Sequence, residues 1–202
     1  MMTITYEGRS ALYVNMTNRC PCACVFCLRS NKDHVFASDS LWLEREPTVK
    51  EVCDSIAARD LSRYEEIVFC GYGEPTERLE DLLQVAAFVK RNADISVRIN
   101  TNGLSDLING EPTAVKLRGL IDTVSISLNA TNPSDYLRLV RPRFGEISFD
   151  AMLAFAKACT EYVDTVIMTM VDVVTSEEEQ AIGRRLCESV GATFRIRPYE
   201  SD

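Results

Sequence analysis

The stretch Thr123-Val124-Ser125-Ile126-Ser127-Leu128-Asn129 alternates strictly between polar and apolar residues. A period of two is the signature of a β-strand. Val124, Ile126 and Leu128 share one face; Ser125, Ser127 and Asn129 share the other. Two further strand-like runs repeat the division. Ile95, Val97 and Ile99 oppose Ser96, Arg98 and Asn100, and Phe194 and Ile196 oppose Arg195 and Arg197. A flat parallel sheet covered by helices on both sides would be apolar on both faces. A polar face on several strands points to helices on one side only, with the polar side lining a solvated or ligand-filled lumen.

Outward from that stretch, strand-like and helix-like runs alternate. Strands are expected at 11–16, 66–70, 95–100 and 123–129, within 163–173, and at 193–197. Between them, helices are expected at 49–61, 79–91, 113–119, 133–139, 149–162 and 175–190. Thr48 stands where an N-cap belongs, and Glu177-Glu178-Glu179 places acid in the first turn of the last helix, which suits the helix dipole. Regular alternation implies a parallel sheet with helical crossovers. Six units are too few for a closed eight-stranded barrel. The expected fold is therefore α/β, a partial (β/α)6 barrel, with a flat doubly wound sheet as the alternative. In either, the working site lies at the carboxyl ends of the strands. Residues 1–202 read as one domain, with an irregular insertion at 31–47.

Composition narrows the class. The 202 residues are 46% hydrophobic and 26% charged, ordinary values for a globular protein. No apolar run approaches the length of a membrane span, and residues 1–10 hold no signal-peptide core, so a cytoplasmic location is expected. A net charge of −8 argues against a protein that works by covering nucleic-acid phosphates. Cys53, Cys70, Cys159 and Cys187 are scattered and read as small buried hydrophobes.

The other four cysteines fall within Asn18-Arg19-Cys20-Pro21-Cys22-Ala23-Cys24-Val25-Phe26-Cys27. Clustered cysteines in a reducing compartment read as metal-binding or catalytic. Zinc is the structural alternative, but zinc sites usually take two separated pairs of ligands, and this chain has one histidine, His34, and no second cysteine pair. Cys22 could add a fourth thiolate only by alternating with Cys20 and Cys24 along tight backbone. A cluster held by three cysteines leaves one iron without a protein ligand, and an open coordination site is a mark of chemistry.

The spacing Cys20-x-x-x-Cys24-x-Phe26-Cys27 resembles the signature of the radical S-adenosylmethionine enzymes. Gly71-Tyr72-Gly73-Glu74-Pro75 after the second expected strand is similar to that family's Gly-Gly-Glu-Pro motif. Asn100-Thr101-Asn102-Gly103 and Ser125–Asn129 continue the likeness at the next two strand ends. The resemblance implies that Cys20, Cys24 and Cys27 ligate a four-iron, four-sulfur (4Fe-4S) cluster whose fourth iron takes the amino and carboxylate groups of S-adenosyl-L-methionine. Reduction of that cluster would cleave the sulfonium to methionine and a 5′-deoxyadenosyl radical, which takes hydrogen from a substrate.

The resemblance also implies a cofactor cradle. Gly71 and Gly73 would allow close backbone approach to the ligand, Glu74 and Pro75 would complete the amino-group site, and Asn100, Asn102, Ser127 and Asn129 would bond ribose and carboxylate. Phe26 would face the adenine and Arg141 would pair with the carboxylate. As plainer alternatives, Gly71–Pro75 and Asn102-Gly103 are tight turns and Arg141 is a surface residue.

Tyr199–Asp202 alone follow the last strand, and no auxiliary-cluster motif is present. Substrate contacts are therefore expected from the lumen, from the 30–47 segment (Lys32, His34, Trp42) with Arg29, or from another chain. Arg195 and Arg197 point to an anionic substrate; Asp172 is a further candidate, while Met168 and Met170 read as packing. The expected partner is an electron donor such as flavodoxin or ferredoxin. Leu12–Cys20 and Phe26–Arg29 look most like the small TatD-linked radical enzymes, which implies a TatD-type hydrolase as functional partner. The short chain is also similar to glycyl-radical activating enzymes and to 7-carboxy-7-deazaguanine synthase. An iron–sulfur electron carrier or a zinc module is the non-enzymatic alternative.

Overall fold

The polar and apolar faces part as their alternation requires. In the structure, a computed structural model that describes residues 2–30 and 32–198, seven strands among the described residues form one sheet in the order β1 to β7. These are β1 (Thr5–Gly8), β2 (Ala11–Val14), β3 (Glu66–Phe69), β4 (Ser96–Thr101), β5 (Thr123–Ser127), β6 (Thr165–Val171) and β7 (Thr193–Arg197). Strands β2 to β7 are parallel neighbours, and β1 is an antiparallel hairpin partner of β2. The sheet does not close, so β1 and β7 are its two edges.

The crossovers carry α1 (Val49–Ala57), α2 (Leu79–Asn92), α3 (Ser105–Asn109), α4 (Pro133–Val140), α5 (Ser148–Cys159) and α6 (Glu177–Val190). Thr48 and Glu51 form a reciprocal capping box at α1, as do Ser176 and Glu179 at α6. The outward strand face packs under this helical layer: Leu12, Phe69, Ile99, Ile126 and Met168 join Leu82, Val85 and Phe155 in one core cluster. Cys159 and Cys187 are fully buried in it, as small hydrophobes. The inward face carries a second, smaller cluster: Tyr6, Tyr13, Leu41, Val68 and Tyr72. No helix among the described residues is long and apolar enough to cross a membrane.

The structure corrects several expected boundaries. The first expected strand stops at Val14, because Asn15 turns aside to donate from Nδ2 to Leu41 O at 2.8 Å. The helix expected at 113–119 is a 3-10 turn, Ala114–Leu117, and α3 precedes it. Strand β1 is additional to the six expected. Its turn uses Arg9 (φ 49°) and Ser10 (φ 66°), left-handed residues where a two-residue hairpin normally takes Asn-Gly.

Residues 32–47 contain no helix or strand, yet Leu41 and Leu43 are buried. Asn18 ties this segment down at Leu43 through both its amide atoms, and Tyr72 donates its hydroxyl to Lys32 O. Asn31, the first residue of the expected insertion, and 199–202 lie outside the described residues.

Candidate active site

The carboxyl ends of the strands and the cysteine loop line one cavity of about 480 Å³. The loop is clamped onto the end of α4. Ala23 N donates to Val140 O (3.1 Å), Val25 N to Leu139 O (2.9 Å) and Arg143 N to Pro21 O (2.8 Å). Arg29 reaches back from the loop's far side and donates to the carbonyls of Asn18, Cys22 and Tyr72. Backbone is thus held on both flanks before any ligand is added.

Cys20, Cys24 and Cys27 line the cavity as partly exposed free thiols. Cys22 also reaches it, but its side chain is buried and its backbone bridges to Pro142. The Cys22 thiol hydrogen-bonds to those of Cys20 and Cys24, which lowers both their pKa values and pushes its own up. Burial raises that of Cys27. Three sulfur donors facing one cavity are a ligand set suited to iron and sulfide. Among the described residues no three His, Cys, Asp or Glu side chains are gathered as ligands of a single metal ion. A four-iron cluster puts each cysteine on a different iron and needs no such convergence.

The Gly71-Tyr72-Gly73 loop sits directly behind the cysteines. A Cβ on Gly71 would lie 2.1 Å from Asn15 Oδ1, and one on Gly73 would lie 2.2 Å from Thr17 O and 2.7 Å from Arg19 O. A close approach to a ligand is expected of these glycines; in the structure the close approach is to the chain itself, although both also border the cavity. Gly73→Ala should therefore push the cysteine loop outward, at about 1–3 kcal/mol for overpacking against rigid backbone. Urea unfolding of the variant, with iron content after reconstitution, checks both consequences.

Glu74 is buried, and its carboxylate accepts four hydrogen bonds: from Thr76 N and Oγ1, from Thr101 Oγ1, and from Asn102 N at 2.7 Å. Burial pushes its pKa up, and these donors offset part of that. Its first role is to splice the loop after β3 to the end of β4. Pro75 opens the 3-10 turn Pro75–Arg78, buried and off the cavity.

Asn100, Asn102, Ser127 and Asn129 line the cavity, as does Phe26. Asn100 Oδ1, Asn102 Nδ2 and Asn129 Oδ1 are buried without a partner among the described residues. A buried polar atom left unpaired is costly, so three of them on residues that line one cavity suit a site for a polar ligand. The donor set and these amides together fit an iron–sulfur cluster with a nucleoside cofactor beside it.

Other expected residues are not brought in. Arg141 caps α4 in a left-handed conformation, exposed and off the cavity. Asp172 lies exposed on the 3-10 turn Asp172–Val174, after a strand whose Met168 and Met170 face the helical layer. His34 is exposed and Trp42 leans edge-on to Tyr72; neither borders the cavity. Arg195 and Arg197 do border it. So do Arg98, Arg9 and Cys70, none of which was named as a site residue. The signal for Arg98 was its place on the Ser96/Arg98/Asn100 face.

The family model described as the Radical SAM superfamily matches residues 14–185. A search of curated protein sequences returns no match. Among solved structures, Streptococcus suis SuiB bound to S-adenosylmethionine is similar over 94% of this chain and 40% of its own, at 18% identity and a TM-score of 0.70. A radical SAM methyltransferase from Sphaerobacter thermophilus matches 96% of this chain and 56% of its own, at 19% identity and a TM-score of 0.69. The hydrogenase maturase HydG from Carboxydothermus hydrogenoformans matches 95% and 44%, at 17% identity and 0.65. At these identities the likeness shows the fold, an unclosed barrel core, and this chain spans roughly half the length of these proteins or less. With the family model covering most of its length and the cysteine loop at the mouth of that core, the chain belongs to the radical SAM superfamily.

Proposed function

We propose that the chain is an enzyme that binds a 4Fe-4S cluster through Cys20, Cys24 and Cys27 and uses S-adenosylmethionine to oxidise or rearrange a small substrate held in the same cavity. The observation that carries this reading is that three cysteines and three asparagines, each with one buried amide atom unpartnered among the described residues, line one cavity. When bound and reduced, the cluster and S-adenosylmethionine together supply a primary carbon radical for hydrogen abstraction.

Everything else falls to the protein. Asn100, Asn102 and Asn129 would orient the polar parts of the cofactor, and Phe26 would offer its ring an apolar face. Leu41 of the 32–47 segment and Tyr72, whose hydroxyl donates to Lys32 O, are buried and border the cavity. An electron carrier has no need of such a lumen. Residues from Tyr6 to Pro198 contribute to the cavity, which supports reading the chain as one core domain. A one-electron reductant of the flavodoxin or ferredoxin kind is the required partner. A TatD-type hydrolase stays an expectation of the local likeness in residues 12–29.

The test is anaerobic reconstitution with iron and sulfide, followed by dithionite and S-adenosylmethionine. We expect 5′-deoxyadenosine to form in step with bound cluster. Protein that takes up a full cluster and forms none would overturn the reading.

A further inference from the structure

Arg29 is expected among the substrate contacts, yet in the structure its guanidinium is engaged by the cysteine loop. Nη1 donates to Asn18 O at 3.4 Å and to Tyr72 O at 3.3 Å, and Nη2 donates to Cys22 O at 3.2 Å. These carbonyls come from three places: the approach to the loop, the loop itself, and the Gly71-Tyr72-Gly73 turn behind it. A planar guanidinium, with donors fixed around its rim, can hold such a set at once. Arg29 stands in the 3-10 turn Leu28–Ser30 that follows Cys27, and it borders the same cavity as Cys20, Cys24 and Cys27.

Carbonyl acceptors hold a guanidinium by their dipoles and leave its charge in place. That charge reaches all three thiols. At Cys20 and Cys24 the hydrogen bond from the Cys22 thiol is the main cause of a lowered pKa, and Arg29 lowers both further. At Cys27 burial dominates and raises the pKa, while the Arg29 N–H and guanidinium act in the other direction. Glu74 opposes the effect at Cys20.

A field that favours thiolate over thiol also favours an added electron on iron bound to those sulfurs. Net charge and hydrogen bonds to sulfur are two of the levers that set an iron–sulfur potential. Arg29 supplies the first through its guanidinium and the second through its backbone N–H at Cys27.

We propose that Arg29 is a positioning residue whose fixed positive charge raises the reduction potential of a cluster held by Cys20, Cys24 and Cys27, bringing it within reach of a one-electron reductant. The step it assists is transfer of one electron from a flavodoxin- or ferredoxin-type donor to the cluster. That step adds one negative charge beside the guanidinium and moves no proton. The proposal rests on the reading that these cysteines hold the cluster, and it names the residue that tunes it.

Redox titration of the reconstituted protein, read by electron paramagnetic resonance of the reduced cluster, is the test. Iron and sulfide are measured on the same samples. Arg29→Gln and Arg29→Met remove the charge, and Arg29→Lys keeps the charge without the fork. At the wild-type midpoint, the ratio of reduced to oxidised cluster should fall about ten-fold in both neutral variants, which is a potential lower by about 59 mV for a one-electron couple. Arg29→Lys should lie nearer to wild type than to either. A midpoint unchanged in the neutral variants, or a lysine variant shifted as far as they are, overturns the inference. If neither neutral variant assembles a cluster, Arg29 is scaffolding alone and the inference falls as well. Wild-type protein that takes up no cluster loses the proposed function and this inference together. A wild-type cluster that cleaves S-adenosylmethionine, with a potential indifferent to Arg29, loses the inference alone. A cluster whose potential follows Arg29 but that never yields 5′-deoxyadenosine loses the proposed activity alone.

Discussion

Cys24→Ala is expected to abolish both cluster assembly and 5′-deoxyadenosine formation, while Cys22→Ala keeps both. The contrast is sharp because the two residues are neighbours with nearly the same environment. Both thiols reach the cavity, and the Cys22 thiol hydrogen-bonds to that of Cys24. What separates them is attachment. Cys24 is partly exposed, on a stretch held to α4 through Ala23 and Val25, whereas Cys22 is buried with its backbone bridged to Pro142. A cluster docked on Cys20, Cys24 and Cys27 needs accessible thiols, and the Cys22 side chain is the buried one. Losing one of three ligands leaves two irons open, and the cluster should not survive. Losing Cys22 removes one small buried group, worth about 1 kcal/mol. Iron and sulfide analysis of anaerobically purified variants reads the result directly. A Cys22→Ala protein without iron would make Cys22 a ligand and redraw the site.

How far the chain could be read in advance depended on whether a signal was local. The alternation in Thr123–Asn129 is local, and it correctly announced a sheet with one polar, inward face. Hairpin β1–β2 is local too, but its turn residues, Arg9 and Ser10, carry none of the usual left-handed preference, so nothing marked it. Asp172 was misplaced although the pattern contained the answer: it continues the Met168/Met170 register, and that register faces the helices. Arg98 was the converse case, written plainly on the polar face but passed over in favour of residues nearer the strand ends. The 32–47 segment offered no periodicity at all. Its position is set by Asn15, Asn18 and Tyr72, contacts far along the chain that no local pattern encodes. Gly71 and Gly73 were recognised as necessary, but only the fold shows what they admit: the Asn15 side chain at Gly71 and the backbone of Thr17 and Arg19 at Gly73.

Glu74→Gln should cost about 2–4 kcal/mol of stability and most of the affinity for S-adenosylmethionine, although the exchange is nearly isosteric. Every contact that the Glu74 carboxylate makes is with a donor: two backbone N–H groups and two threonine hydroxyls. An amide has only one acceptor atom. Whichever way it turns, its NH2 group must face either the Asn102 N–H or the Thr76 N–H, leaving two donors opposed in a buried site. Threonine hydroxyls can rotate to accept; the backbone groups cannot. The strain then travels along the chain, because Asn102 N is fixed to Glu74 and Asn102 lines the cavity. A purely scaffolding Glu74 and a ligand-binding Glu74 are separable by Thr101→Val, which removes one scaffold donor, together with the acceptor of Gly103 N, and leaves the Glu74 carboxylate in place. If Glu74 acts by holding Asn102 in place, Thr101→Val should reproduce a fraction of the affinity loss in proportion to its stability cost, measured by urea midpoint and by calorimetric titration with S-adenosylmethionine. If affinity is untouched in Thr101→Val yet lost in Glu74→Gln at similar stability, the carboxylate itself meets the cofactor.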